Sequence, residues 1–126
     1  MLTKGDEYPI HQTPEPIAYS GTDRNFYDRY FFNGYRADAS LYFGVAMGLY
    51  PNRHVMDASF SVVLNGEQIS VHSSAKAPFD RMQCNQVGPI GIEVVIPMKQ
   101  HRIVVETPEH GIRADVTFSS TSLPYE

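Results

Sequence analysis

The sequence has no tryptophan and a single cysteine, Cys84, among its 126 residues. One thiol excludes an internal disulfide and cannot by itself hold a metal. Positive charge is scarce: ten Lys and Arg stand against fourteen Asp and Glu, a formal net charge of −4. That balance leaves no basic field for nucleic acid or an anionic membrane surface. Long apolar runs are missing too. The most apolar stretch, Leu41 to Tyr50, contains two glycines and is too short to span a bilayer. The opening residues, Met1 to Pro9, carry acids and a proline where a secretory signal needs an apolar core. With the unpaired cysteine, this points to a cytoplasmic protein. The five histidines, at 11, 54, 72, 101 and 110, show neither HxH nor HxxxH spacing. Phosphate-binding glycine loops and the Gly-x-Ser-x-Gly elbow are absent, and nothing around Cys84 marks a nucleophile. No metal or cofactor is expected. No window sustains the i, i+3, i+4, i+7 recurrence of an amphipathic helix for three turns.

What is present reads as one all-β domain. Hydrophobic residues make up 42% and charged residues 19%, an ordinary globular balance. Residues 1–24 are polar and punctuated by Pro9, Pro14 and Pro16, which predicts an extended N-terminal arm ahead of a domain over 25–126. Short apolar runs then alternate with turn residues: Phe26 to Phe32, Leu41 to Tyr50, Val55 to Leu64, Gln68 to Ala75, Ile90 to Ile96, Arg102 to Thr107 and Ile112 to Phe118. Asn33-Gly34 and Asn65-Gly66 are read as hairpin signals. Residues 77–87 are read as a long connection or a short helix. In the last strand Ile112, Ala114, Val116 and Phe118 alternate with polar residues, the mark of a strand with one wet face.

The strand from Leu41 to Tyr50 is unusual on both faces. Its odd positions are bulky and apolar, whereas its even positions run Tyr42, Gly44, Ala46, Gly48, Tyr50. Small residues between two tyrosines form either a surface for close packing of another strand, loop or sheet, or the floor of a ligand cavity with phenolic hydroxyls at its ends. Two charged clusters flank this stripe. In the first, Asp28 and Tyr30 share a strand face; facing an apolar cavity, Asp28 would act as a general acid, and facing solvent it would pair with an arginine. In the second, Asn52, Arg53 and His54 occupy a loop with Asp57 just beyond, offering amide, guanidinium, imidazole and carboxylate groups together, although Asn also simply suits a turn. Catalytic candidates are therefore Asp28, Tyr30, His54 and Asp57. Ligand-binding candidates are Tyr42, Gly44, Ala46, Gly48, Tyr50, Asn52 and Arg53.

Three motifs, Asn25 to Tyr35, Gly48 to Arg53 and Pro108 to Asp115, resemble the N-terminal half of the hydroxyneurosporene synthase (carotenoid 1,2-hydratase)-like, or AttH-like, proteins. The resemblance spans about residues 8 to 120. It implies an antiparallel lipocalin-like β-barrel, in a family whose members carry two such barrels in tandem; with the strand spacing, the expectation is a barrel or sandwich of about seven to nine strands. It also implies chemistry on apolar isoprenoid- or steroid-like molecules, so that this chain is expected to be a subunit of a lyase-type hydratase or dehydratase, or of an isomerase. The alternative expectation is a non-catalytic hydrophobic-ligand-binding or structural partner domain. Either way a homo-oligomer, or a complex with a chain supplying the second barrel, is expected. No catalytic residue is carried over from the family, because its acids belong mainly to the second half.

Overall fold

A computed structural model of the protein describes residues 21–122, so the expected arm lies outside the described residues apart from its last four positions. Eight strands follow: β1 (Asp28–Tyr35), β2 (Leu41–Tyr50), β3 (Val55–Leu64), β4 (Glu67–Lys76), β5 (Gln86–Val87), β6 (Ile90–Ile96), β7 (Gln100–Thr107) and β8 (Ile112–Ser119). They pair antiparallel with their sequence neighbours into two four-stranded sheets, β1-β2-β3-β4 and β5-β6-β7-β8. No ladder joins the sheets among the described residues, so the domain is a sandwich and not a closed barrel.

Alternation explains the layering. Val45, Met47 and Leu49 on β2, with Met56, Ala58 and Phe60 on β3, point inward and are almost wholly buried. They meet Val87, Ile90, Ile92, Ile103, Val105 and Ile112 of the second sheet. Each large aliphatic side chain so buried contributes roughly 1.5–3 kcal/mol. An aromatic chain continues this core toward one side. Phe32 lies 5.1 Å from both His101 and Phe118, and Phe43 lies 6.1 Å from Phe60 and 6.0 Å from Phe118.

One connection differs from the sequence expectation. Asn33-Gly34 is not a turn: β1 runs through it, and Gly34 faces Phe43 across the ladder. A Cβ on Gly34 would fall 2.7 Å from the Phe43 ring, so this glycine makes room for an aromatic side chain instead of bending the backbone. The turn comes later, where Asp38 accepts hydrogen bonds from the Ser40 backbone and hydroxyl at 3.0 and 2.7 Å and Ala39 takes a positive φ of 59°. Asn65-Gly66 does turn the chain, both residues having positive φ. The stretch after β4 holds a 3-10 turn, Arg81–Gln83, and the short strand β5.

The sandwich also repeats one device. β2 passes to β3 through the 3-10 turn Pro51–Arg53 and a left-handed His54; β7 passes to β8 through Pro108–His110 and a left-handed Gly111. Proline sets the first φ of each turn, and the left-handed residue reverses the chain.

Candidate functional site

The first sheet divides the predicted site residues between its two faces. Asp28 and Tyr30 pair with Leu49 and Met47 on the inner, core-facing side and are half-buried. Tyr42, Gly44, Ala46, Gly48, Tyr50 and Asp57 belong to the opposite, outer side. The backbone N–H of Arg29 donates to Asp28 at 2.8 Å, and Tyr30 stacks on Phe32 with ring centroids 6.3 Å apart. A sheet therefore separates the Asp28–Tyr30 pair from Asp57, and these groups do not form one constellation.

On the outer side the small-residue stripe is partly covered by the chain itself. Tyr50 folds over Gly48: a Cβ there would lie 3.2 Å from the Tyr50 ring and 2.9 Å from an Asp57 carboxylate oxygen. The Tyr50 ring stacks on Tyr27 at 5.6 Å. Burial, then the Asp57 charge, raises the Tyr50 pKa, and its hydroxyl is hydrogen-bonded to that carboxylate. A phenol held this way keeps its proton and serves as a clasp. Next to Asp57, a depression of about 410 Å³ is lined by Ala46, Ser59, His72 and Ser74.

The turn cluster is spoken for by the chain itself. The Asn52 amide donates to the carbonyls of Gly21 and Asp23 at 2.6 and 2.7 Å, and Arg53 reaches Asn25 at 3.4 Å. His54 packs edge-on against Phe79, and its carbonyl accepts from the Ala77 N–H at 3.0 Å. These residues anchor the approach to β1 and the segment after β4. Cys84 is fully buried, and burial followed by the Asp80 charge pushes its thiol up to about 12, which leaves it unreactive.

An apolar cleft was not foreseen from the sequence. It lies between the two sheets at the end marked by the β3–β4 hairpin tip and has a volume of about 420 Å³. One wall is the inner face of the first sheet beyond the core: Leu41, Phe43, Val62, Leu64 and Ile69. The other is β8, through Ile112, Ala114 and Val116. Leu64 and Ile69 remain 45% and 43% exposed, so the cleft opens to solvent. Its ionisable lining groups, Glu67 and Arg113, are exposed. The signal in the sequence was the inward alternation of bulky apolar residues reaching the first residues of β2 and the last residues of β3.

A family model matches residues 2–126, almost the whole chain. The chain belongs to that family, a family of unknown function (DUF8625). No curated protein and no solved structure matches it.

Chemically, two depressions among the described residues bear on the predicted site and the core. The outer one carries the hydrogen-bonding groups of Asp57, Ser59, His72 and Ser74 beside Ala46. The cleft offers apolar surface with charge only at its rim, and its size is that of pockets which enclose small organic molecules.

Proposed function

We propose that this domain holds an apolar molecule, isoprenoid-, steroid- or lipid-like, in the cleft between its sheets and does so without catalysis. The observation that carries this reading is the cleft's composition: apolar side chains from both sheets face one opening, and the lining carboxyl group, Glu67, is exposed. Adding water to an alkene requires an acid aimed at the bound double bond in a dry setting. Asp28 and Tyr30 share the inner face but are not part of the lining, so a hydratase, dehydratase or isomerase would have to bring its substrate to them. The resemblance of three motifs to hydratase-like lipocalin proteins supports the ligand class. Those motifs build β1, the turn after β2 and the start of β8, which shape the sandwich.

The reading extends to assembly and setting. Phe31 and Tyr35 on β1 and Tyr42 on β2 stand 57%, 75% and 45% exposed on the outer face of the first sheet, beside the small-residue stripe. Such a flat aromatic face fits a second copy of the domain or a chain supplying a second barrel. A cytoplasmic setting accords with the unpaired Cys84.

Binding of a fluorescent apolar probe, displaced by long-chain terpene alcohols, tests the ligand reading. Ala114→Phe fills the cleft and is expected to abolish binding. Leu64→Ser at the exposed rim is expected to weaken it without unfolding the chain. Ala46→Phe, on the outer face, leaves it unchanged. Probe binding that responds to Ala46→Phe and ignores Ala114→Phe would move the site to the outer face and end this reading.

A further inference from the structure

The free edge of β8 runs along the cleft, and hydrogen-bond parity shows which of its groups are unpaired. The Glu106 N–H donates to the Pro89 carbonyl at 3.1 Å, toward β6. In an antiparallel ladder, successive residues of a strand turn their backbone groups to opposite sides. Glu106, Val104 and Arg102 therefore address β6, whereas Thr107, Val105 and Ile103 address β8 through their partners Ile112, Ala114 and Val116. The Ser120 N–H donating to Lys99 at 2.8 Å, one step beyond the same register, gives the same parity. It follows that Arg113, Asp115 and Thr117 direct their N–H and C=O groups away from β7. Among the described residues β8 pairs only with β7, so these groups form an open edge.

That edge borders the cleft. Arg113, although it faces the outer side of its sheet, lines the cleft together with the inward-facing Ile112 and Ala114. The opening thus wraps around the strand's edge. A small apolar molecule would fill the cleft and leave the edge groups to water. An extended chain would satisfy both, pairing its backbone with β8 and placing every second side chain against Leu64 and Ile69.

We propose, resting on the reading of the cleft as an apolar-ligand site, that the cleft also accepts an extended peptide of a partner protein, which adds to β8 as a fifth antiparallel strand. The face pattern sets the partner's chemistry. Positions turned into the cleft are aliphatic; positions on the other face are polar, beside Arg113 and Asp115, whose charges are already paired with Glu106 and Arg102.

The test uses the full chain and a labelled peptide of about eight residues alternating valine with glutamate and lysine, read by fluorescence anisotropy. Saturable binding is expected. Thr117→Pro removes an edge N–H and leaves the β7 ladder intact. It should weaken the peptide roughly tenfold or more while the apolar probe binds as before and the circular dichroism is unchanged. If that variant fails to fold, the same peptide N-methylated at alternate residues makes the equivalent measurement on the natural chain, with the same loss expected. Equal affinity for N-methylated and unmodified peptide overturns strand addition. Probe binding with no peptide binding overturns it as well and leaves the small-molecule reading standing; loss of both defeats the two together. A concentration-dependent dimer abolished by Thr117→Pro would assign the edge to a second copy and overturn the partner peptide.

Discussion

Thr107 ends β7 with no exposed surface, and its hydroxyl oxygen finds no hydrogen-bond partner among the described residues. A buried hydroxyl stripped of water and left unpaired works against the fold. Valine has the same shape without the hydroxyl. Thr107→Val is therefore expected to stabilise the protein by about 1 kcal/mol, seen as a rise of a few degrees in Tm. A lower Tm would mean that the hydroxyl is satisfied in solution. Gly34 carries the opposite lesson at the same scale. Its neighbour Asn33 made the pair read as a turn, but the ring of Phe43 needs the space where a side chain would be. A dipeptide states what the backbone permits; whether a turn or a packed ring uses that freedom depends on a strand elsewhere in the chain.

Among the elements, β2 and β3 span the residues that the apolar alternation predicted, whereas the faces acquire meaning only once the strands pair. The stripe from Tyr42 to Tyr50 shows why. Period-two alternation separates two faces without saying which one meets the second sheet, and here the bulky odd positions face it while Gly48, on the outer face, lies beneath Tyr50. Asn52 illustrates the same limit, for its carbonyl partners lie about thirty residues earlier in the chain. Asn52→Ala removes both bonds and is expected to cost about 1 kcal/mol at this exposed site, with faster amide exchange over residues 21–26 as the readout. On the second sheet, Arg102 donates to both Asp115 oxygens at 2.8 and 2.7 Å. Those hydrogen bonds hold the Asp115 carboxyl below its ordinary value of 3.8. Asp115 thus stays charged where the unfolded chain would take up a proton. Its contribution to stability is complete above that ordinary value and is lost as pH falls through the lower folded one. Titration of the Asp115 carboxyl by NMR should show this, and Arg102→Met should return it to the ordinary range.

For the whole molecule, the all-β class and seven of the eight strands were legible because local alternation and turn chemistry carry them, whereas the choice between sandwich and barrel was left open. The cleft was not legible, because it lies between the two sheets, and no local pattern encodes their relative placement. The same holds for assembly, whose signal is composition displayed on a surface. The outer face of the first sheet joins the small Gly44 and Ala46 to the exposed rings of Phe31, Tyr35 and Tyr42. A second sheet can approach closely where side chains are small, and the rings would supply the area that association needs. Sedimentation at micromolar concentration is expected to show a species larger than the monomer. Replacing Phe31 and Tyr35 together by serine should shift it to monomer, leave the fold intact and spare binding in the cleft, since both residues lie on the far side of the sheet. If the natural chain sediments as a stable monomer with no partner present, the outer face is a solvated surface and the assembly reading is abandoned.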